Sequence, residues 1–155
     1  MPYLIDGHNL IPKVAGLSLQ AMDDEQQLIV MLQEFCRLQR KQAEVFFDNA
    51  PPGGVLARNL GLVIARFVRQ GSSADQAIAR RLKQLGRGAR NWTVVTSDHA
   101  VQAEARAAQA RVVPSEDFAR LMREALDENQ RDPGVQTEAG LSDEELQDWL
   151  KLFGE

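Results

Sequence analysis

Short apolar runs alternate with helical stretches through residues 1–126, and this order narrows the possible folds more than any other feature. Tyr3–Asp6 (YLID) reads as a buried first strand. Leu28, Met31, Leu32, Phe35 and Leu38 recur at helical spacing within residues 24–41. Glu44–Asp48 (EVFFD) reads as a second strand, stopped by Pro51-Pro52 and Gly53-Gly54. A third strand is expected around Leu62–Phe67, where β-branched and aromatic residues collect. After Gly71-Ser72-Ser73 a helix follows, with Ser73 and Gln76, or Ser72 and Asp75, as its capping box and Ile78, Leu82 and Leu85 as its apolar stripe. Gly86 and Gly88 end that helix. Trp92–Thr96 is a fourth strand, Ser97 is expected to cap the next helix, and Val101, Ala105 and Ala108 face inward from it. Arg111–Val113 is a short fifth strand ended by Pro114. Ser115 is expected to cap a last helix carrying Phe118, Leu121, Met122 and Leu126. Strand–helix alternation of this kind predicts an α/β fold: three α/β/α layers around a central parallel sheet of about five strands, with all strand C-termini on one edge.

The domain expected is 1–126. Residues 127–140 read as an acidic, polar linker, and residues 142–153 as a short amphipathic C-terminal helix with Leu146, Trp149, Leu150 and Phe153 on one face. That face could dock on the body, on a partner or on a second copy in a homodimer, and the sequence does not choose. A chain of 155 residues buries roughly 70% of its unfolded surface, so it needs no disulfide. Its single Cys36 lies in a helical pattern and reads as a buried, inert thiol; a reducing, cytoplasmic setting is expected. No apolar stretch reaches the roughly 18 residues of a membrane span, and no signal-peptide pattern opens the chain.

Four aspartates fall at or near the strand ends. They are Asp6 in YLIDGHN, Asp48 in VFFDNAP, Asp75 in GSSADQAI and Asp98 in VVTSDHA. In an open parallel sheet these ends border the ligand crevice. Each acid also has a structural reading: Asp6 and Asp48 can form turns, and Asp75 and Asp98 sit where a helix dipole favours a carboxylate. Gathered in one crevice, however, they repel one another unless a cation joins them, and an oxygen-only site suits Mg²⁺ or Mn²⁺. Such an ion can activate water and offset charge on a phosphate. Asn9 and Ser97 can hydrogen-bond a carboxylate, a water or a phosphate oxygen. His8 and His99 flank two of the acids, but no zinc spacing occurs, and neither a nucleotide-binding glycine fingerprint nor a serine-nucleophile elbow is present.

The net charge of −4 hides an asymmetry. Residues 127–155 hold nine acidic residues and two basic ones, whereas residues 58–90 carry seven Arg and one Lys against Asp75 alone. A basic stretch beside carboxylates suits a polyanionic substrate, with Arg58, Arg66, Arg69, Arg80 and Arg81 as the candidate phosphate contacts. A solvated arginine face that keeps the protein soluble is the plainer alternative.

The segments YLIDGHNLI, FFDNAP, GSSADQAI and VVTSDHAVQAEA, in this order and spacing, resemble the NYN domains of the PIN-like nuclease superfamily, and among them the YacP-like branch. The resemblance spans residues 2 to about 124 and extends to the closing EELQDWLKLFG. It implies a PIN-like α/β/α fold and metal-dependent endoribonuclease activity, with the acidic metal pocket on Asp6, Asp48, Asp75 and Asp98, the opening-motif Asn on Asn9 and the polar residue before the last Asp on Ser97. The acidic tail departs from what RNA gripping needs, so a partner that presents the substrate, such as the ribosome, is one expectation. A non-catalytic RNA- or ribosome-binding adaptor on the same fold is the alternative, with the acids as vestigial structure.

Overall fold

A computed structural model of the chain describes residues 1–14, 24–48, 57–69 and 72–139, the last stretch with side chains to residue 128. The expected stop at residues 51–54 and the amphipathic helix at 142–153 lie outside the described residues.

Six strands form one sheet in the described residues: β1 (Tyr3–Asp6), β2 (Ala43–Phe47), β3 (Ala57–Leu60), β4 (Val63–Phe67), β5 (Thr93–Val95) and β6 (Arg111–Val113). Their order across the sheet is β3-β4-β2-β1-β5-β6. All neighbours are parallel except β3 and β4. The helices are α1 (Gly7–Leu10), α2 (Asp24–Gln39), α3 (Ala74–Leu85), α4 (His99–Ala107) and α5 (Ser115–Ala139).

The alternation of side chains along each strand divides the core in two. Tyr3, Ile5, Val45, Phe47 and Ala65 face α2 and α5, where Phe35 and Phe118 meet edge-on at 5.3 Å. Leu4, Phe46 and Val94 face Ile78 and Leu82 of α3 and Val101 and Ala105 of α4. The expected three layers are therefore present, with six strands rather than about five. Among the described residues, no helix is long and apolar enough to cross a membrane.

β3 was not expected. Its sequence, ARNL, is polar and mostly exposed, so it carries no hydrophobic period to read. It is an edge strand, and a polar, charged edge discourages pairing with other chains. A two-residue Gly61-Leu62 turn joins it to β4, with Gly61 at φ +79 and its N–H donated to Asn59 Oδ1 at 3.2 Å.

Three terminal assignments change as well. Ser73 caps α3 as expected, accepting from the Gln76 N–H at 3.2 Å. The cap of α4 is Asp98, not Ser97: its Oδ1 accepts from the N–H groups of Ala100 and Val101 at 2.8 and 3.3 Å. Ser115 is the first helical residue of α5 rather than its cap, and its hydroxyl points back to Asn9. α5 itself continues to Ala139, so the stretch expected as a linker is helical over residues 127–139. Cys36 is fully buried, and burial pushes its thiol up to about 11, which leaves it inert.

Candidate active site

The site is built at the C-terminal edge of the sheet from β1, β2, β5 and the first turn of α3. Asp6 ends β1 on the face that also carries Leu4, and is only 5% exposed. Gly7 follows because nothing larger fits: a Cβ there would lie 2.4 Å from Phe47 Cε1 and 2.9 Å from the Phe46 carbonyl oxygen. α1 can thus start directly after Asp6, pressed against β2. The Asn9 N–H then turns back to the Asp6 carboxylate.

Asp48 leaves β2 and reaches the start of α3, where its Oδ1 accepts from the Ala74 N–H at 2.6 Å. This sets a carboxylate at a helix N-terminus, as the helix dipole favours. Asp75 occupies the next position of the same turn, half-buried. Asp98 approaches from the end of β5.

Four acids from four parts of the chain therefore gather at one edge of the sheet, close enough to act on one another's charge. The Asp6 carboxyl is pushed up to about 6, first by burial, then by the charges of Asp75 and Asp48; the Asn9 N–H and the Thr96 hydroxyl pull it partly back. Asp75 is also raised, by burial and then by Asp98 and Asp48. Negative charge is concentrated here: among the described residues none of the four acids pairs with Lys or Arg, and His8 Nδ1 lies 3.7 Å from Asp48 Oδ2. Among the described residues, no three His, Cys, Asp or Glu side chains are arranged so that together they could hold a metal ion. The donor set fits an ion that uses one or two carboxylates and fills its remaining positions with water, which is the habit of Mg²⁺.

Asn9 and Ser97 are present at the site but serve as its frame. Asn9 Oδ1 accepts from the Ser97 N–H at 2.8 Å and from the Ser115 hydroxyl at 2.6 Å. Ser97 Oγ donates to Glu116 at 2.6 Å and accepts from the Ser115 N–H at 2.9 Å. These bonds tie α1, the β5–α4 connection and α5 together.

Thr96 was missed. It is fully buried, its hydroxyl donates to Asp6 Oδ2 at 3.4 Å, and it accepts from the Asp98 N–H at 3.1 Å. The signal was in the register: Ile5 pairs with Val95, so Thr96 falls beside Asp6 on the same sheet face. His8 also finds a framing role. Its Nδ1 accepts from the Asp48 N–H at 3.3 Å, which puts the ring proton on Nε2, facing Glu25 of α2. His99 is exposed at the start of α4.

The five candidate arginines separate. Arg66, Arg69 and Arg80 line one groove of about 320 Å³ between β4 and α3. Arg81 lines its continuation, but two of its nitrogens are held by Glu44, at 3.0 and 2.9 Å. Arg66 Nε also binds Glu44, at 2.9 Å. Arg58 stands opposite Ala65 and so projects to the other face of the sheet, away from this groove.

Two crystal structures of Rae1 (YacP) from Bacillus subtilis, one of a point mutant, share the fold at a TM-score of 0.73. The mutant is 23% identical, with 94% of this chain and 89% of that one covered; the other is 21% identical, with 99% and 92% covered. No curated protein matches the sequence. The model of the YacP-like NYN domain matches residues 3–153, nearly the whole chain, and the chain belongs to that family, a branch of the PIN-like nucleases.

Proposed function

We propose that this chain is a metal-dependent endoribonuclease, acting on RNA in the cytoplasm, either free or presented by a partner such as the ribosome. The observation that carries this reading is the convergence of Asp6, Asp48, Asp75 and Asp98, with Asp6 and Asp75 held above the ordinary carboxylate range by burial and by neighbouring carboxylates of the group. Buried, mutually repelling carboxylates are costly, and titratable groups perturbed in this way cluster at functional sites.

Asp6 and Asp98 are the acids best placed to hold Mg²⁺ or Mn²⁺. Thr96 orients both, through the Asp6 carboxylate and the Asp98 backbone. The ion, when bound, supplies Lewis-acid chemistry toward water and the phosphate. Asp75, half-buried and with raised proton affinity, fits the acceptor of the proton released when water attacks the phosphodiester. Asp48 fixes the first turn of α3 and with it the position of Asp75. The arginines of the β4–α3 groove position the RNA backbone.

The test is cleavage of a long, mixed-sequence, end-labelled RNA with Mn²⁺, Mg²⁺ or EDTA. Wild type should cut only with metal, and Asp6→Asn and Asp98→Asn should each lower cutting by roughly a hundredfold or more. Asn at position 98 can still cap α4, so the loss would not come from unfolding. Undiminished cutting by either purified variant would defeat the proposal.

A non-catalytic RNA-binding adaptor is the second reading. Its support is that Asp48 and Asp98 each have a capping role that would retain them without catalysis. An adaptor binds RNA equally well in EDTA and with either Asn variant, and cuts under no condition.

A further inference from the structure

The groove between β4 and α3 has two kinds of surface. Its floor is Phe46, Val68 and Ala77; its rim is Arg66, Arg69 and Arg80. Arg66 is anchored through Nε to the buried Glu44, which fixes its guanidinium at the wall. Arg69 and Arg80 are exposed, and neither enters an ion pair among the described residues. A volume of about 320 Å³ is at the small end for ligand sites. An inorganic anion needs no apolar floor, and an apolar ligand needs no pair of unneutralised guanidiniums. A nucleotide has both an apolar ring face and a charged phosphate.

The groove also shares a helix end with the carboxylates. Arg69 and Ser72, joined by the Ser72 N–H to Arg69 carbonyl bond at 3.1 Å, belong to the connection into α3, whose first turn is capped by Asp48 and carries Asp75. Ala77 lies two residues after that acid on the same helix, a rise of about 3 Å along its axis.

We infer that this groove takes one unstacked base of a single-stranded RNA, with the adjoining phosphates on Arg69 and Arg80. The inference rests on the nuclease reading for its substrate class and deepens it: unpaired RNA beside the cleavage point is favoured, because a base inside a duplex must first break its pairing and stacking to reach the floor.

The experiment is fluorescence anisotropy in EDTA with the full chain. Its probes are a labelled short single-stranded RNA of mixed sequence, the same strand made abasic, and the matching duplex. Wild type should prefer the single strand. Ala77→Leu fills the floor and should weaken binding of the base-bearing strand about fivefold or more while leaving the abasic strand unchanged. Arg69→Ala and Arg80→Ala should weaken both strands and each flatten the log–log salt dependence by roughly 0.7. Ser72→Leu, on the exposed rim, obstructs the same groove and replaces Ala77→Leu should that variant fail to fold. Equal affinity of the groove-filled variant and wild type for the base-bearing strand overturns the inference, as does equal binding of the duplex or no RNA binding at all. Metal-dependent cutting with no effect of Ala77→Leu on binding would sink the groove and spare the nuclease. Base-selective binding in EDTA without cutting under any metal condition would do the reverse.

Discussion

Asp6 and Glu44 are both buried carboxylates on the same face of the sheet, each 5% exposed, and the protein treats them in opposite ways. Glu44, near the start of β2, accepts three hydrogen bonds from Arg66 and Arg81, and Arg81 lies over the Trp92 ring at 5.5 Å. Asp6, at the end of β1, receives one N–H and one long hydroxyl bond and faces two more acids. One end of the sheet neutralises its charge internally; the other gathers acids that form no ion pair with Lys or Arg among the described residues. Burial alone therefore does not mark a functional carboxylate.

The largest stability difference should come from removing the acid at the satisfied end. Glu44→Gln leaves two half-buried guanidiniums without their anion and should cost about 3 kcal/mol, read from urea unfolding. An unchanged midpoint would mean that Arg66 and Arg81 are already well solvated. Asp6→Asn should have the opposite sign in metal-free protein. It removes a charge that the fold resists, and should raise stability by on the order of 2 kcal/mol. Loss of stability there would show that Asp6 is held by contacts stronger than the repulsion.

The pH dependence sharpens the same contrast. The folded state holds the Asp6 proton more tightly than the unfolded chain, with a value of about 6 against the ordinary 3.8. Its contribution to stability is complete below about pH 4 and is lost as pH rises through 6. Metal-free wild type should therefore melt at a lower temperature at pH 7.5 than Asp6→Asn does, and the gap should close toward pH 4. A constant gap would place the repulsion elsewhere. Smallest of these effects, millimolar Mg²⁺ should raise the wild-type melting temperature by a few degrees at pH 7.5 and raise that of Asp6→Asn less.

The layers, the parallel core strands and the clustering of the four aspartates were legible in the sequence because burial imposes a period on strands and helices. The remaining features have no period. β3 is a polar edge strand. The run of arginines from 58 to 90 is continuous along the chain, but folding sends Arg58 to one face, ties Arg66 and Arg81 to Glu44, and leaves Arg69 and Arg80 at the groove. Linear charge density could not make that division, because it depends on which strand neighbours Glu44. Ser97 and Asn9 are expected beside the acids from the sequence, but their shared partner, Ser115, lies more than a hundred residues from Asn9. Thr96 could have been found by counting strand alternation from Asp6 across the β1–β5 register.

The side-chain oxygen of Asn9 joins the start, the middle and the later part of the chain. Its bond to Ser97 needs the end of β5, and its bond to Ser115 needs the start of α5. During synthesis, which runs from the N-terminus, β1 and α1 exist long before α5 does. The frame around the carboxylates is thus completed late, after Ser115 has emerged. A truncated chain ending before that residue would keep all four acids and the Asn9–Ser97 bond but lose both bonds that Ser115 makes to Asn9 and Ser97, so an interrupted translation product would carry the acids in an unfinished frame.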